Sequence, residues 1–154
     1  MILRSYKQLE DLRKSNAAEK IVMMHGVFDL LHVGHLSILR RSKKMGDILV
    51  VCVISDEQTQ MAKGGSRPII RQLNRAKMLD ALKCVDYVFL NPRLDFKDDS
   101  MWPGYILRPN LITSGDRRWY HSDQKALEMG IKSKILNRGK FSTTQIVEEI
   151  KNQK

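Results

Sequence analysis

The chain has 154 residues, 42% of them apolar and 29% charged, which is room for one compact α/β domain with a core of its own and little else. Nine glycines, four prolines and a mean hydropathy of -0.36 exclude collagen-like, proline-rich and strongly disordered compositions, and no apolar run approaches the ~20 residues of a membrane-spanning helix. The formal net charge is +10, an excess that fits nucleic acid, an anionic membrane or a small polyanionic ligand.

In chain order, residues 7–14 read as a short amphipathic helix with Leu9 and Leu12 three apart, a packing appendage over residues 1–19. Alternating stretches follow over 20–154. They are a strand at Lys20–His25, a helix at Gly34–Met45, a strand at Ile48–Ile54, a helix at Arg71–Leu82 and strands at Asp86–Leu90 and Leu111–Thr113. A helix at Ser122–Met129, a strand at Ser133–Leu136 and a helix at Thr143–Lys151 complete the set. The pattern predicts a single α/β domain, a doubly wound parallel sheet with helices on both faces and ligands at the carboxyl ends of its strands. The run Ile48–Ile54 suits a strand buried on both sides, and residues 91–109 are the least regular part. The N-terminus lacks the succession of a signal peptide, so the expected location is the cytoplasm. Cys52 and Cys84, each in an apolar segment, read as reduced core residues.

The basic excess is not spread evenly. Residues 36–75 carry eight basic and three acidic side chains, residues 117–140 carry seven and two, and the remainder balances. Each block adjoins a motif described below, which favours a phosphorylated small ligand over a polybasic surface. No nucleic-acid motif or aromatic-interleaved basic stripe accompanies them, so neither nucleic acid nor membrane is expected as a partner.

The most informative stretch is His25-Gly-Val-Phe-Asp-Leu-Leu-His-Val-Gly-His-Leu36, a strand end, a turn and a helix start. His32 and His35 are three apart, so helical geometry puts both imidazoles on one side, and Gly34 removes the side chain between them. With the helix's unsatisfied N–H groups and positive dipole end, that makes a place for a phosphate chain against backbone with two donors reaching it. Gly26 clears the strand end for a base or ribose, and Asp29 either holds the turn or orients a histidine. A metal pair is the competing reading, but no third or fourth ligand follows at suitable spacing.

Gly26-Val-Phe-Asp-Leu-Leu-His-Val-Gly-His35 resembles the signature of the cytidylyltransferase-like nucleotidyltransferases, whose H-x-G-H motif sits on a Rossmann-like sheet. The resemblance continues through Lys63-Gly-Gly-Ser-Arg-Pro-Ile-Ile70, Leu111-Ile-Thr-Ser-Gly-Asp116 and Ser142-Thr-Thr-Gln-Ile146. It implies catalytic roles for His32, His35 and Lys63, the histidines donating to triphosphate oxygens and the lysine holding the acceptor phosphate. Gly26, Val27, Phe28, Asp29, Gly34, Gly115, Asp116, Ser142, Thr143 and Thr144 would then bind nucleotide, assisted by Arg138 or Lys140. Arg67, Arg75 and Trp119 fall on the acceptor side, the tryptophan stacking on a base, covering the pocket or packing as core. Two departures stand out: Leu73 replaces a usual acidic residue, and Arg138 is displaced by one position.

What the resemblance implies is transfer of a nucleoside monophosphate from a nucleoside triphosphate to a phosphorylated small molecule, with release of pyrophosphate. It also implies Mg2+ bound mainly through the triphosphate, no dedicated metal site and a homodimer. Residues 6–13 and 63–68 are most similar to adenylyltransferases that make ADP-heptose from heptose 1-phosphate and ATP. Gly115-Asp116 and Trp119 are similar to glycerol-3-phosphate cytidylyltransferases, the alternative. Class I aminoacyl-tRNA synthetases share the H-x-G-H pocket, but no Lys-Met-Ser-Lys-Ser-like loop is present.

Overall fold

The computed structural model describes residues 1–91, 102–115, 124, 126–137, 139 and 141–153. Six strands form one parallel sheet: β1 (Ile2–Leu3), β2 (Ile21–Gly26), β3 (Ile48–Val53), β4 (Tyr87–Leu90), β5 (Leu111–Ser114) and β6 (Lys132–Ile135). Their spatial order is β1-β4-β3-β2-β5-β6. The chain builds outward from β2 to β3 and β4, then returns to the other side of β2 to lay down β5. The order therefore reverses between β2 and β5, where doubly wound sheets place ligands at their strands' carboxyl ends.

All residues of β2 and β3 are buried, as a strand covered on both faces requires, and alternate residues feed two cores. Ile21, Met23, Val50 and Ile112 pack with Leu9 and Leu12 of α1 (Tyr6–Ser15) and Leu107 of α5 (Pro103–Leu107). Val22, Met24, Leu49 and Val51 pack with Ile38 and Leu39 of α2 (Val33–Lys43) and with Ala76 and Leu79 of α4 (Gln72–Asp80). Each fully buried Leu, Ile or Val contributes about 1.5–3 kcal/mol. Both faces are thus covered, as expected.

The N-terminal helix starts at a capping box in which Ser5 Oγ accepts from Gln8 N–H and Gln8 Oε1 accepts from Ser5 N–H. Three elements are not among those expected from the sequence: β1, α3 (Asp56–Lys63) and α5. β1 has two residues, too few to alternate. Helix α3 buries Gln58 and Thr59 rather than an apolar stripe, although its Ser55 cap and acidic first turn, Asp56 and Glu57, are legible start signals. Lys63, read from the sequence as part of a flexible glycine segment, closes α3 instead, and Gly64 caps it at φ 93°. Of the helix expected over Ser122–Met129, residues 124 and 126–128 are helical. The last helix, α6, spans Thr143–Asn152. No helix among the described residues is long and apolar enough to cross a membrane.

Candidate active site

The turn from β2 into α2 is tight enough to force Phe28 and Leu30 into left-handed backbone, φ 55° and 45°. Such conformations are costly for residues with side chains and collect where a site dictates the backbone. The left-handed turn folds Phe28 back over the strand end. A Cβ placed on Gly26 would lie 3.0 Å from its ring, so glycine lets Phe28 lie against the strand end.

Helix α2 begins at Val33 with His32 as its N-cap, and His32 Nδ1 accepts from Gly34 N–H at 3.2 Å. Since Nδ1 is the acceptor, the proton of the neutral ring sits on Nε2. One histidine therefore both caps the helix and fixes its own tautomer. The His35 ring stacks on that of His32, with centroids 3.9 Å apart and planes at 27°, and meets the edge of Phe28 at 5.4 Å. The three-residue spacing has brought both imidazoles to one side, as predicted. Gly115 stands at the end of β5, where a Cβ would come within 2.7 Å of Ile38 on α2, so glycine allows β5 and α2 to close together.

Asp29 is almost fully buried, 3% exposed, and holds the turn. Its carboxylate accepts from the backbone N–H of Ile69 (2.9 Å) and Ile70 (3.0 Å) and pairs with the Arg67 guanidinium at 3.3 Å. Its backbone carbonyl accepts from Thr143 Oγ1 at 2.6 Å. Thr143 opens α6, whose cap is Ser142, with Oγ accepting from Gln145 N–H at 3.2 Å. A bond between residues 114 positions apart in sequence thus ties the start of α6 to the turn that leads into α2. Thr144, in the first turn of α6, is exposed, as is Lys63.

Arg75, expected to reach an acceptor, is 1% exposed and committed to protein. Nε donates to Ile70 O at 2.8 Å, and Nη2 to Ile54 O at 2.9 Å and to Asp56 Oδ1 at 2.7 Å, while Nη1 donates to Val27 O. It is a hub joining the ends of β2 and β3 to the loop that carries Arg67. Burial pulls its pKa down, and Asp56 and Asp29 oppose that shift. Asp56 also accepts Gln72 N–H, and Gln72 Nε2 in turn bridges Val53 O and Asn91 O. Sequence reading missed Asp56 and Gln72, and their partners are too distant in the chain for any local pattern to announce them. Below the mouth the sheet is dry: burial pushes His25 down to about 4 and Cys52 up to about 12. Asp116, Trp119, Arg138 and Lys140 lie outside the described residues.

Residues 23–149 match the model of the Cytidylyltransferase-like family. The chain belongs to that family. Its fold and its family place it in the nucleotidyltransferase class of enzymes. Among curated proteins it is 36% identical over 152 residues to the Bifunctional protein HldE of Desulfatibacillum aliphaticivorans, covering 94% of this chain and 29% of that one. It is 37% identical over 139 residues to the Bifunctional protein HldE of Yersinia pestis (strain Pestoides F), covering 87% and 28%. The chain thus spans less than a third of the length of these relatives. Among solved structures it resembles the lipopolysaccharide core biosynthesis protein from Thermoplasma volcanium GSS1, at 34% identity and a TM-score of 0.61, covering 80% of this chain and 99% of that one. The pantoate-beta-alanine ligase of Francisella tularensis shares the fold, at 19% identity and a TM-score of 0.61 over 89% of this chain and 66% of its own.

Proposed function

We propose that this cytidylyltransferase-like protein transfers the adenylyl group of ATP to heptose 1-phosphate in the cytoplasm, forming ADP-heptose and releasing pyrophosphate. The observation that carries the reading is the Thr143–Asp29 hydrogen bond, which ties the start of α6 to the turn that leads into α2 at the strand switch point. A triphosphate is long enough to touch both. The relatives named HldE and the lipopolysaccharide core biosynthesis protein support a sugar phosphate as the acceptor.

In this reading an acceptor phosphate oxygen attacks the α-phosphorus, and the bond from that phosphorus to the bridging oxygen of pyrophosphate breaks. The acceptor is already an oxyanion, so no covalent nucleophile is needed and the protein's task is alignment and charge neutralisation. His32, through Nε2–H, and His35 donate to oxygens of the α- and β-phosphates, Ser142, Thr143 and Thr144 hold the β- and γ-phosphates, and Lys63 holds the acceptor phosphate. Asp29 sets the loop bearing Arg67 at the mouth, and Arg75 fixes the strand ends beneath it.

No group of three His, Cys, Asp or Glu side chains gathers among the described residues, and Asp29 and Asp56 are occupied by backbone amides and arginines. That donor set fits a Mg2+ carried by triphosphate oxygens and water rather than by a protein cage. Such an ion supplies neutralisation of triphosphate charge.

The test is pyrophosphate release from every pairing of ATP, CTP, GTP and UTP with heptose 1-phosphate and glycerol 3-phosphate. Release with ATP and heptose 1-phosphate is the expected pattern. Release with CTP and glycerol 3-phosphate would replace it by cytidylyl transfer, and silence across the whole grid would refute the assignment.

A further inference from the structure

We infer that Asp29 is a positioning residue that couples the two substrate-bearing segments, so that each substrate tightens binding of the other. The inference rests on the sugar-phosphate reading above, which gives the acceptor the loop carrying Arg67 and the triphosphate the start of α6. Asp29 itself touches neither substrate: it is 3% exposed and engaged by protein groups on both its side chain and its backbone.

One residue reaches both segments because of the backbone around it. Phe28 and Leu30, on either side of Asp29, are left-handed at φ 55° and 45°, a conformation kept only where the surroundings over-determine it. The turn sends the Asp29 carboxylate to one segment and its carbonyl to another. The carboxylate accepts from Ile69 N–H at 2.9 Å, Ile70 N–H at 3.0 Å and Arg67 Nη1 at 3.3 Å. The carbonyl accepts from Thr143 Oγ1 at 2.6 Å. A buried carboxylate stripped of such donors bears its full desolvation cost, so Asp29 moves only together with its partners.

Among the described residues little else holds either segment. Residues 64–70 lie between α3 and α4, outside any helix or strand. A Cβ on Gly64 or Gly65 would meet nothing, and Ile69 is 51% exposed. Ile69 and Ile70 thus give to Asp29 the N–H groups that a regular element would give to carbonyls. Arg75 adds a second strut, from Ile70 O to Val27 O, and it ends in the same turn. Helix α6 buries no residue of its own, so the Thr143 bond sets where its start lies. A substrate that orders one segment therefore fixes the anchor of the other, and the second substrate finds its segment already set. By linkage the effect is reciprocal.

The probe for the triphosphate side is the Mg2+ complex of ATP with a methylene group in place of the α–β bridging oxygen, which binds without reacting. Added alone to the full chain, it should slow hydrogen exchange at the Ile69 and Ile70 amides, read by NMR, although the loop is not its own binding segment. At saturation it should lower Kd for heptose 1-phosphate by about fivefold or more, and heptose 1-phosphate should lower the Kd of the probe by the same factor. Thr143→Val keeps every contact of the Asp29 carboxylate but severs α6, so with the probe again saturating the factor should fall to within about twofold of unity and the amides should lose their added protection. Thr143→Ser should restore both. A hydroxyl that only stabilised α6 would change the affinity for the probe and leave the coupling factor where it was. That outcome, or a factor near unity in the unmodified protein with every ligand pair, overturns the proposal. Coupling seen with the methylene analogue of CTP and glycerol 3-phosphate, but not with the ATP analogue and heptose 1-phosphate, keeps the role of Asp29 and sinks only the ADP-heptose reading.

Discussion

Helix α2 buries Gly34, His35, Ile38, Leu39 and Ser42 and follows a strand with no exposed residue, whereas α6 buries none of its residues and follows β6, exposed along its whole length. Both present an N-terminus to the same mouth. The first is fixed by packing, with every buried side chain adding to its hold. The second is held at its start by the Ser142 cap and by one hydroxyl on Asp29, and a single such bond is worth about 0.5–1.5 kcal/mol. The contrast suggests a division of labour in which the α2 half is the template and the α6 half is brought up to it. Lesions on the α2 side should therefore register as lost stability, and lesions on the α6 side as lost affinity for the triphosphate.

The largest effect should come from Arg75→Met, which strips four acceptors of a buried cation, leaving three carbonyls unmet and Asp56 with the Gln72 N–H alone. Breaking a buried charge network from one side costs about 3–5 kcal/mol, readable by urea denaturation. A loss under about 1 kcal/mol would show that packing alone fixes the α2 half.

Next is an acid sensitivity in the same half. His25 has its pKa pushed down to about 4 by burial, so between that value and the ordinary 6.5 the unfolded chain binds a proton that the folded one refuses. Stability is whole above about pH 6.5 and falls as pH drops towards 4, by on the order of 3 kcal/mol over the window. His25→Asn should flatten that slope, and an equal slope in the variant would assign the sensitivity elsewhere.

His35→Ala should reduce pyrophosphate release about a hundredfold or more, the usual effect of removing one preorganised donor to developing charge. Cooperative unfolding should persist, and turnover near the unmodified level would remove His35 from the machinery. The smallest change is expected from Thr143→Val. Stability should shift by no more than about 1 kcal/mol while KM for ATP rises several-fold, and Thr143→Ser should restore it. If Thr143→Val lowers stability as much as Arg75→Met does, the division between the two halves is wrong.

Much of this architecture was legible before the structure. The strands at 20–25 and 48–54 and the helices at 34–45 and 143–151 emerge within a residue or two of their expected bounds, because apolar period is a local property that burial on both faces amplifies. The His32–Gly34–His35 turn was legible for the same reason, since three-residue spacing and a helix start suffice to define its geometry. Helix α3 escaped because the residues it buries are Gln58 and Thr59, so its inward side carries no apolar signal. Arg75 shows the complementary failure. A helical arginine near a phosphate site reads as a ligand contact, and nothing in residues 71–82 announces that its partners are carbonyls on two strand ends and a loop.

Sequence by itself determined the alternation that makes a parallel sheet, the family and the two helix starts at Val33 and Thr143, because each depends on residues within a few positions of one another. Only the tertiary structure decided that Asp29 serves the Arg67 loop and α6 instead of a histidine, that Phe28 lies against Gly26, and that Arg75 is spent on the strand ends beneath the mouth. Hydrogen-bond partners 40 to 114 residues apart, such as Asp29 with Ile69 and with Thr143, are chosen by where the strands end in space, and no local pattern encodes that.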